Sequence, residues 1–151
     1  MEEATAGLYN AYSKRVKDMD DFWAKRAAEE MQHSTMLSKL FRILDDGKLF
    51  YNIENFSVKN IEDLTEYILE AEFDARHGKL SKAQAVMTSL TIEKLMIEGG
   101  FYSTAQSDAD EFKIIAGRLR DLTKQHIDKI EEQMEAVNRM GAAAKENLSL
   151  Y

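Results

Sequence analysis

The amino-acid sequence predicts an all-α protein, and features of its composition support that prediction. The chain has 151 residues, no proline, no cysteine and only 7 glycines. Residue types that favour helices, namely glutamate, lysine, alanine, leucine and methionine, are plentiful along it. This length suits one domain with its own hydrophobic core. We therefore expect a single helical bundle.

The first half of the chain predicts two antiparallel helices joined by a short turn. Apolar residues at helical spacing cover residues 2–17 and again 22–44. The acidic run 18–21 separates them, and aspartates are good residues for the start of a helix. Asp45, Asp46 and Gly47 then predict the end of the second helix.

The second half predicts three further helices after an extended connection. Residues 48–59 contain aromatic side chains without helical spacing, so we expect at most minor strand content there. A third helix follows over 60–77 and ends at Gly78. Ser81 and Gln84 have the spacing of a capping box, which predicts the start of the fourth helix.

The fifth helix is predicted to begin near residue 107, where an acidic first turn suits the positive end of the helix dipole. These patterns predict a bundle domain over residues 1–140, with a crossover between its halves over 45–80. Residues 141–151 predict a loose C-terminal tail.

Charge and cysteine content exclude several classes of function. A formal net charge of -7 argues against nucleic acid and anionic membranes as partners. The sequence has no apolar run approaching 18 residues and no start typical of a signal peptide, so we expect a cytoplasmic protein. Without cysteine, any metal ion must be held by glutamate, aspartate and histidine, which suits iron, manganese or zinc.

The second helix carries the clearest sign of a metal site. Glu30 and His33 are three residues apart and fall on its apolar face, with Trp23, Leu37 and Phe41. A carboxylate and an imidazole at this spacing can bind the same metal ion. A hydrogen-bonded pair in a helix seam is the alternative interpretation of the same two residues.

Three more helices place an ionisable residue on the inward face. These are Glu2 in the first helix, Glu93 in the fourth and His126 in the fifth. Two of them have an ordinary alternative, because Glu93 could turn to water and His126 could be a core histidine with one hydrogen bond. Four helices around one axis would bring all of these groups to one level, where they would form a site for one or two divalent ions.

Several short motifs resemble rubrerythrin-like members of the ferritin-like superfamily. They occur in the order that the superfamily has, and the resemblance covers most of the chain outside residues 45–80 and the tail. The motifs are Glu2 with Tyr9, Phe22-Trp23 leading to Ala28-Glu29-Glu30-Met31-Gln32-His33, Ile92-Glu93 with Phe101-Tyr102, and the segment from Leu119 to His126.

The resemblance implies a four-helix bundle with a long crossover and a di-iron carboxylate centre. It also implies peroxide reduction, oxygen-dependent oxidation of ferrous iron, or iron storage. Tyr9 and Tyr102 would then orient carboxylates by hydrogen bonds. Glu3 is an alternative to Glu2 as a ligand. The candidate ligands that the resemblance implies are Glu2, Glu30, His33, Glu93 and His126.

The sequence departs from the family pattern at two positions. The last helix normally supplies a glutamate three residues before its histidine, and here that residue is Thr123. An additional glutamate of the fourth helix is replaced by Met96, and the cysteine-bound rubredoxin module is absent. The site could therefore hold one metal ion, bind two weakly, recruit Asp121 or an outside anion, or have lost its metal.

Two functions follow as expectations. The first is an iron-binding protein, with di-iron oxidoreductase chemistry on oxygen or peroxide if it is an enzyme. The second is a non-catalytic helical interaction module with a degenerate metal site. Bundles of the kind that the resemblance implies often pair through helical faces, and the eight methionines could fill such contacts, so we expect a homo-oligomer, with a dimer as the first form.

Overall fold

The computed structural model describes residues 1–45, 50–51, 58–78, 80–98, 105–106 and 109–148. These residues form five helices and one pair of very short strands, so the predicted all-α class is confirmed. The helices are α1 (Glu2–Arg15), α2 (Asp20–Asp45), α3 (Val58–Arg76), α4 (Lys82–Glu98) and α5 (Asp110–Leu148). The strands are β1 (Phe50–Tyr51) and β2 (Ala105–Gln106), which pair antiparallel.

The turn between α1 and α2 uses the acidic run as predicted. Asp18 adopts a positive φ of 63°, which aspartate tolerates better than most residues. Asp20 and Asp21 then occupy the first turn of α2, where their charge favours the helix dipole. This turn reverses the chain and lays α2 against α1.

The start of α4 has the predicted capping box. The backbone N–H of Ser81 donates to Gln84 Oε1 at 2.9 Å, and the backbone N–H of Gln84 donates to Ser81 Oγ at 3.3 Å. Two backbone donors that a helix start leaves without partners are thereby satisfied. Gly78, with a φ of 71°, allows the turn that precedes it.

The helices pack as two hairpins. α1 contacts α2 and α3, α4 contacts α5, and α2 contacts α5. Leu40 near the end of α2 clusters with Phe112 near the start of α5, so these two helices run antiparallel. The main core lies among α1, α2, α3, α4 and α5 and contains a set of packed aromatic rings, namely Tyr9, Tyr12 and Trp23.

The C-terminal helix differs from the prediction. α5 continues through Leu148, whereas the sequence predicted a loose tail after residue 140. Three consecutive alanines followed by Lys145 and Glu146 favour helix, which agrees with the continuation of α5. The predicted extended connection lies mostly outside the described residues, except for β1 and the first turn of α3, which begins at Val58.

Candidate metal centre

The five predicted ligands come together in the interior of the bundle. Glu30 and His33 come from α2, and the other three come one each from α1, α4 and α5. The exposed fraction of each residue is 2% or less; the five are Glu2, Glu30, His33, Glu93 and His126. Burying so many ionisable groups is costly unless charges compensate one another or a cation is bound.

Glu30 lies at the centre of this cluster. Its Oε2 is 3.1 Å from Nδ1 of His33, and its Oε1 is 2.6 Å from Nδ1 of His126. The two imidazole rings are stacked, with centroids 5.0 Å apart and an interplanar angle of 23°. One carboxylate therefore faces one ring nitrogen of each histidine, although the histidines belong to helices far apart in the chain.

The contact between Glu30 and His126 has the distance of an ion pair but not the angle of a hydrogen bond. Among the described residues, Glu30 Oε1 and His126 Nδ1 each lack a hydrogen-bond partner of acceptable geometry. Ligand atoms of Glu30, His33 and His126 all lie within 4.8 Å of one another. Glu30 Oε1 and His126 Nδ1 are thus close together without being aligned on each other, which is compatible with two ligands of one cation, whereas Glu30 Oε2 and His33 Nδ1 form a hydrogen bond in the metal-free cluster.

Two more carboxylates flank this group. Glu93 Oε1 lies 3.5 Å from His126 Nδ1 and accepts a hydrogen bond of 2.8 Å from the Tyr9 hydroxyl. This hydrogen bond joins α1 to α4 and fixes the direction of Glu93. Glu2 is in contact with Glu30 from α1. The cluster thus offers three carboxylates and two imidazoles.

The charges of the metal-free cluster follow from these contacts. Burial opposes ionisation of Glu30, but contacts with His126 and His33 outweigh it and lower the pKa of Glu30 to about 2. Burial likewise opposes a charge on His126, yet Glu30 and Glu93 raise the pKa of His126 to about 10. Glu30 and His126 therefore form a buried ion pair at neutral pH.

The same surroundings raise the pKa of both Glu93 and Tyr9. Burial, together with the negative charge of Glu30, raises the pKa of Glu93, although His126 and Tyr9 act in the opposite direction. Burial and then the charges of Glu93 and Glu30 also raise the pKa of Tyr9 well above its ordinary value. Tyr9 is therefore a neutral hydrogen-bond donor at physiological pH.

The other residues that the sequence analysis singled out lie in different surroundings. Glu3 is exposed and accepts a 3.0 Å hydrogen bond from Ser34, so Glu2 is the glutamate of α1 that faces the cluster. Thr123 is buried, and its hydroxyl donates to the Leu119 carbonyl at 3.1 Å. Tyr102 lies outside the described residues.

Two residues of α2 beside the cluster were not predicted from the sequence. Glu29 Oε2 is 2.9 Å from Nε2 of His126, and Nη2 of Arg26 is 2.6 Å from the same oxygen. The sequence did contain a signal for Arg26, because it lies seven residues before His33 on a row that also includes Met19 and Leu40. All four residues of this row are buried.

Comparison with known proteins gives no family for this chain. No protein-family model, no curated protein and no solved structure matches it. None of the described helices combines the length and apolar character that crossing a membrane demands. Evidence for function therefore comes from the geometry of the cluster itself.

Proposed function

We propose that this protein is a ferritin-like metalloprotein that binds a transition-metal ion at Glu30, His33 and His126. The observation that supports this proposal best is the convergence of three buried ligand atoms within 4.8 Å. They are contributed by two antiparallel helices, and further carboxylates of α1 and α4 lie beside them. Coordination would offset the cost of removing these groups from water.

Iron is the metal that we propose first. A donor set of carboxylate oxygens and imidazole nitrogens without thiolate suits iron, manganese and zinc. Bound iron would supply one-electron exchange with oxygen or peroxide, which makes oxidation of ferrous iron or reduction of peroxide the proposed class of reaction. The chain's own contribution is to hold the ligands away from bulk water and to orient Glu93 through Tyr9.

We further propose one metal ion per chain. Thr123 stands where a second carboxylate from α5 would compensate the charge of a second cation, and its hydroxyl already donates within its own helix. Glu30 is then the shared carboxylate that contacts both histidines. A site with fewer anionic ligands binds a second divalent ion less strongly.

Metal binding can be tested directly on the full chain. The protein is purified without a metal-capturing tag, stripped with a chelator and titrated anaerobically with Fe²⁺, and separately with Co²⁺. Trp23, the only tryptophan, is buried and packs 5.3 Å from the Tyr9 ring, so its fluorescence should report binding of Co²⁺. We expect one metal ion per chain by elemental analysis.

Variants of the candidate ligands test whether the metal ion binds at this cluster. Glu30→Gln and His33→Ala should abolish stoichiometric binding, because each removes a ligand atom. Glu72→Gln is the control, since Glu72 is a partly buried glutamate that lies away from the cluster, in α3 beside Arg76. Equal metal contents in the wild type and in the two site variants would contradict the proposal.

A second function is favoured by the charge balance of the metal-free cluster. Glu30 and His126 already compensate each other as a buried ion pair, so the cluster does not need a cation to be folded. On this alternative the protein is a helical interaction module whose polar network specifies packing. Its melting temperature should then be unchanged by Fe²⁺, whereas a native-state ligand would raise it.

A further inference from the structure

The outward side of α4 carries no charge over most of its length. Residues 83–92 contain no aspartate, glutamate, lysine or arginine, in a chain of which 31% of residues are charged. Met87 and Leu95 are 59% and 43% exposed. They belong to a row of four exposed residues at a spacing of four, which we call the α4 ridge: Ala83, Met87, Thr91 and Leu95. Rows at this spacing are the ridges that pack into the grooves of a neighbouring helix.

The inward side of α4 is already packed. Val86, Ile92 and Met96 are fully buried in the main core, and α4 lies chiefly against α5, with a smaller contact to α3. The helix is therefore apolar on its inward side and uncharged on its outward side. A helix that is apolar all round is normally covered all round. In the part of the chain that the structure describes, no helix covers the α4 ridge.

The polar groups along the α4 ridge have partners within the same chain. The Thr91 hydroxyl donates to a backbone carbonyl of the preceding turn at 3.0 Å. At one end of the ridge, Nζ of Lys82 is 3.7 Å from Oδ2 of Asp18. Near the other end, Nζ of Lys94 is 2.8 Å from Oε1 of Glu131. Covering the ridge would therefore leave no hydroxyl unsatisfied and no lysine without its carboxylate, which keeps the cost of burial small.

Charge favours a second copy of this chain as the occupant of the α4 ridge. A formal net charge of -7 makes two copies repel each other in most orientations. The outward side of α3, for example, carries the exposed carboxylates of Glu62, Glu66 and Glu70, so a contact between two α3 helices would bring like charges together. Two α4 ridges can meet without any such opposition, because neither carries a charge.

We propose that two copies of this chain form a twofold-symmetric dimer by packing their α4 ridges antiparallel about Thr91. Met87 and Leu95 lie four residues on either side of Thr91, so this packing places Met87 of each copy against the partner's Leu95. Each contact then occurs twice, as twofold symmetry requires. Two ridges of this spacing cross at an angle of about −50°. The inference goes beyond the proposed metal binding and does not depend on it.

Helix α2 offers a matched surface that should not pair in this way. Met31 is 51% exposed, and the Thr35 hydroxyl donates to the Met31 carbonyl at 3.0 Å, as in the α4 ridge. The next residue in that row is the exposed Lys39, where the α4 ridge has a leucine. Antiparallel pairing about Thr35 would place Lys39 against the partner's Met31 and remove its charge from water, which is costly.

Cysteine cross-linking tests the contact at the symmetry axis, because the chain has no cysteine of its own. Thr91→Cys should form a disulfide-linked dimer on mild oxidation, since the two introduced thiols meet at the axis. Thr35→Cys is the matched control and should stay monomeric under the same conditions. Equal cross-linking of the two variants would show random collision and would overturn the proposed contact.

Sedimentation equilibrium on the full chain, over about 5–500 µM, measures dimerisation itself. Met87→Lys and Leu95→Glu should each weaken the dimer by at least about 10-fold, because each buries a charge against an apolar partner. The double variant should recover dimerisation, since each introduced lysine then faces the partner's introduced glutamate. Met31→Lys is the control and should leave the dissociation constant unchanged.

The outcomes separate this inference from the proposed metal binding, because every measurement is made in chelator. A wild type that stays monomeric over the whole range would overturn the inference. A dimer that Met87→Lys and Leu95→Glu leave unchanged would also overturn it, because the contact would then lie elsewhere. Failure of the double variant to recover would overturn the antiparallel packing about Thr91. Loss in both single variants, recovery in the double variant and cross-linking of Thr91→Cys alone would support it.

Discussion

Helices α2 and α5 present the same arrangement of positions to the interior but different chemistry. α2 places Glu30 and His33 three residues apart, and α5 places Thr123 and His126 at the same spacing. All four residues are at most 2% exposed. The Glu30 carboxylate contacts both histidines, whereas the Thr123 hydroxyl donates to a carbonyl of its own helix.

This comparison shows that helical spacing and burial do not by themselves determine what a site can bind. Both segments offer an imidazole to the interior, but only α2 offers a carboxylate beside it. The missing negative charge on α5 matters more than the difference in side-chain volume, since two divalent cations close together need anionic ligands between and around them. If the cluster binds metal as proposed, its stoichiometry should therefore depend on one residue of α5.

The largest effect is expected when α5 is made chemically equivalent to α2. Thr123→Glu places a carboxylate three residues before His126, as Glu30 is placed before His33. We expect the metal content to rise from one ion to two per chain, with a larger increase in melting temperature on metal addition. Elemental analysis and thermal unfolding with and without Fe²⁺ or Co²⁺ measure both quantities.

Thr123→Gln is the matched control for this change. It has nearly the size of glutamate without the charge, so it should cost stability through overpacking, about 1–3 kcal/mol, and should still bind one ion. Two ions bound by Thr123→Gln, or one ion bound by Thr123→Glu, would show that the carboxylate of α5 does not set the stoichiometry.

A second prediction concerns His126 and the pH dependence of the protein's stability. Although burial opposes it, Glu30 and Glu93 raise the pKa of His126 from 6.5 to about 10 in the metal-free protein. A raised pKa contributes stability that is complete below the unfolded pKa and is lost as pH rises through the folded pKa. The metal-free protein should therefore lose stability between about pH 6.5 and about pH 10, by an amount on the order of a few kcal/mol.

The metal-loaded protein should not show this loss of stability near neutral pH. A metal ion binds neutral imidazole and displaces the proton, so at fixed free metal its stabilising effect should grow as pH rises. Urea denaturation at several pH values, in chelator and in excess Zn²⁺, measures the two slopes. His126→Gln should flatten both, and the exposed His77→Gln should change neither. Parallel slopes with and without Zn²⁺ would count against a metal at His126.

The all-α class and most of the helix bounds could be predicted because local signals agree with them. The acidic turn before α2 and the capping box at Ser81 act over a few residues, and both are present in the structure. The start of α3 was predicted two residues late, at Asn60 instead of Val58. The end of α5 was predicted too early, since the Ala-rich segment after residue 140 is helical.

The candidate site was predictable in outline and not in its details. Glu30, His33 and His126 stand out because they interrupt apolar faces, and the structure does bring them together. Their role as metal ligands remains a prediction. Glu29 was missed because it lies beside the inward face, and its contact with His126 depends on how α2 and α5 pack. Helical spacing within one segment cannot specify such a contact between helices.

The smallest effect is expected when the hydrogen bond between Tyr9 of α1 and Glu93 of α4 is removed. Tyr9→Phe removes the hydroxyl that donates to Glu93 Oε1 at 2.8 Å and leaves the ring packed on Trp23. Loss of this buried hydrogen bond should cost about 1–2 kcal/mol in the metal-free protein, measured by urea denaturation. Metal affinity should fall less than it does for any ligand variant, because Tyr9 orients a flanking carboxylate and does not touch the three central ligands.

Tyr12→Phe tests whether that loss belongs to the hydrogen bond or to the aromatic packing. Tyr12 is also fully buried against Trp23, at 5.0 Å between ring centroids, but its hydroxyl lies near Thr88 and not near Glu93. Only Tyr9→Phe should therefore change Co²⁺ affinity. Equal effects of the two variants on affinity would mean that the packing of the aromatic rings, and not the hydrogen bond from Tyr9 to Glu93, is what α1 contributes to metal binding.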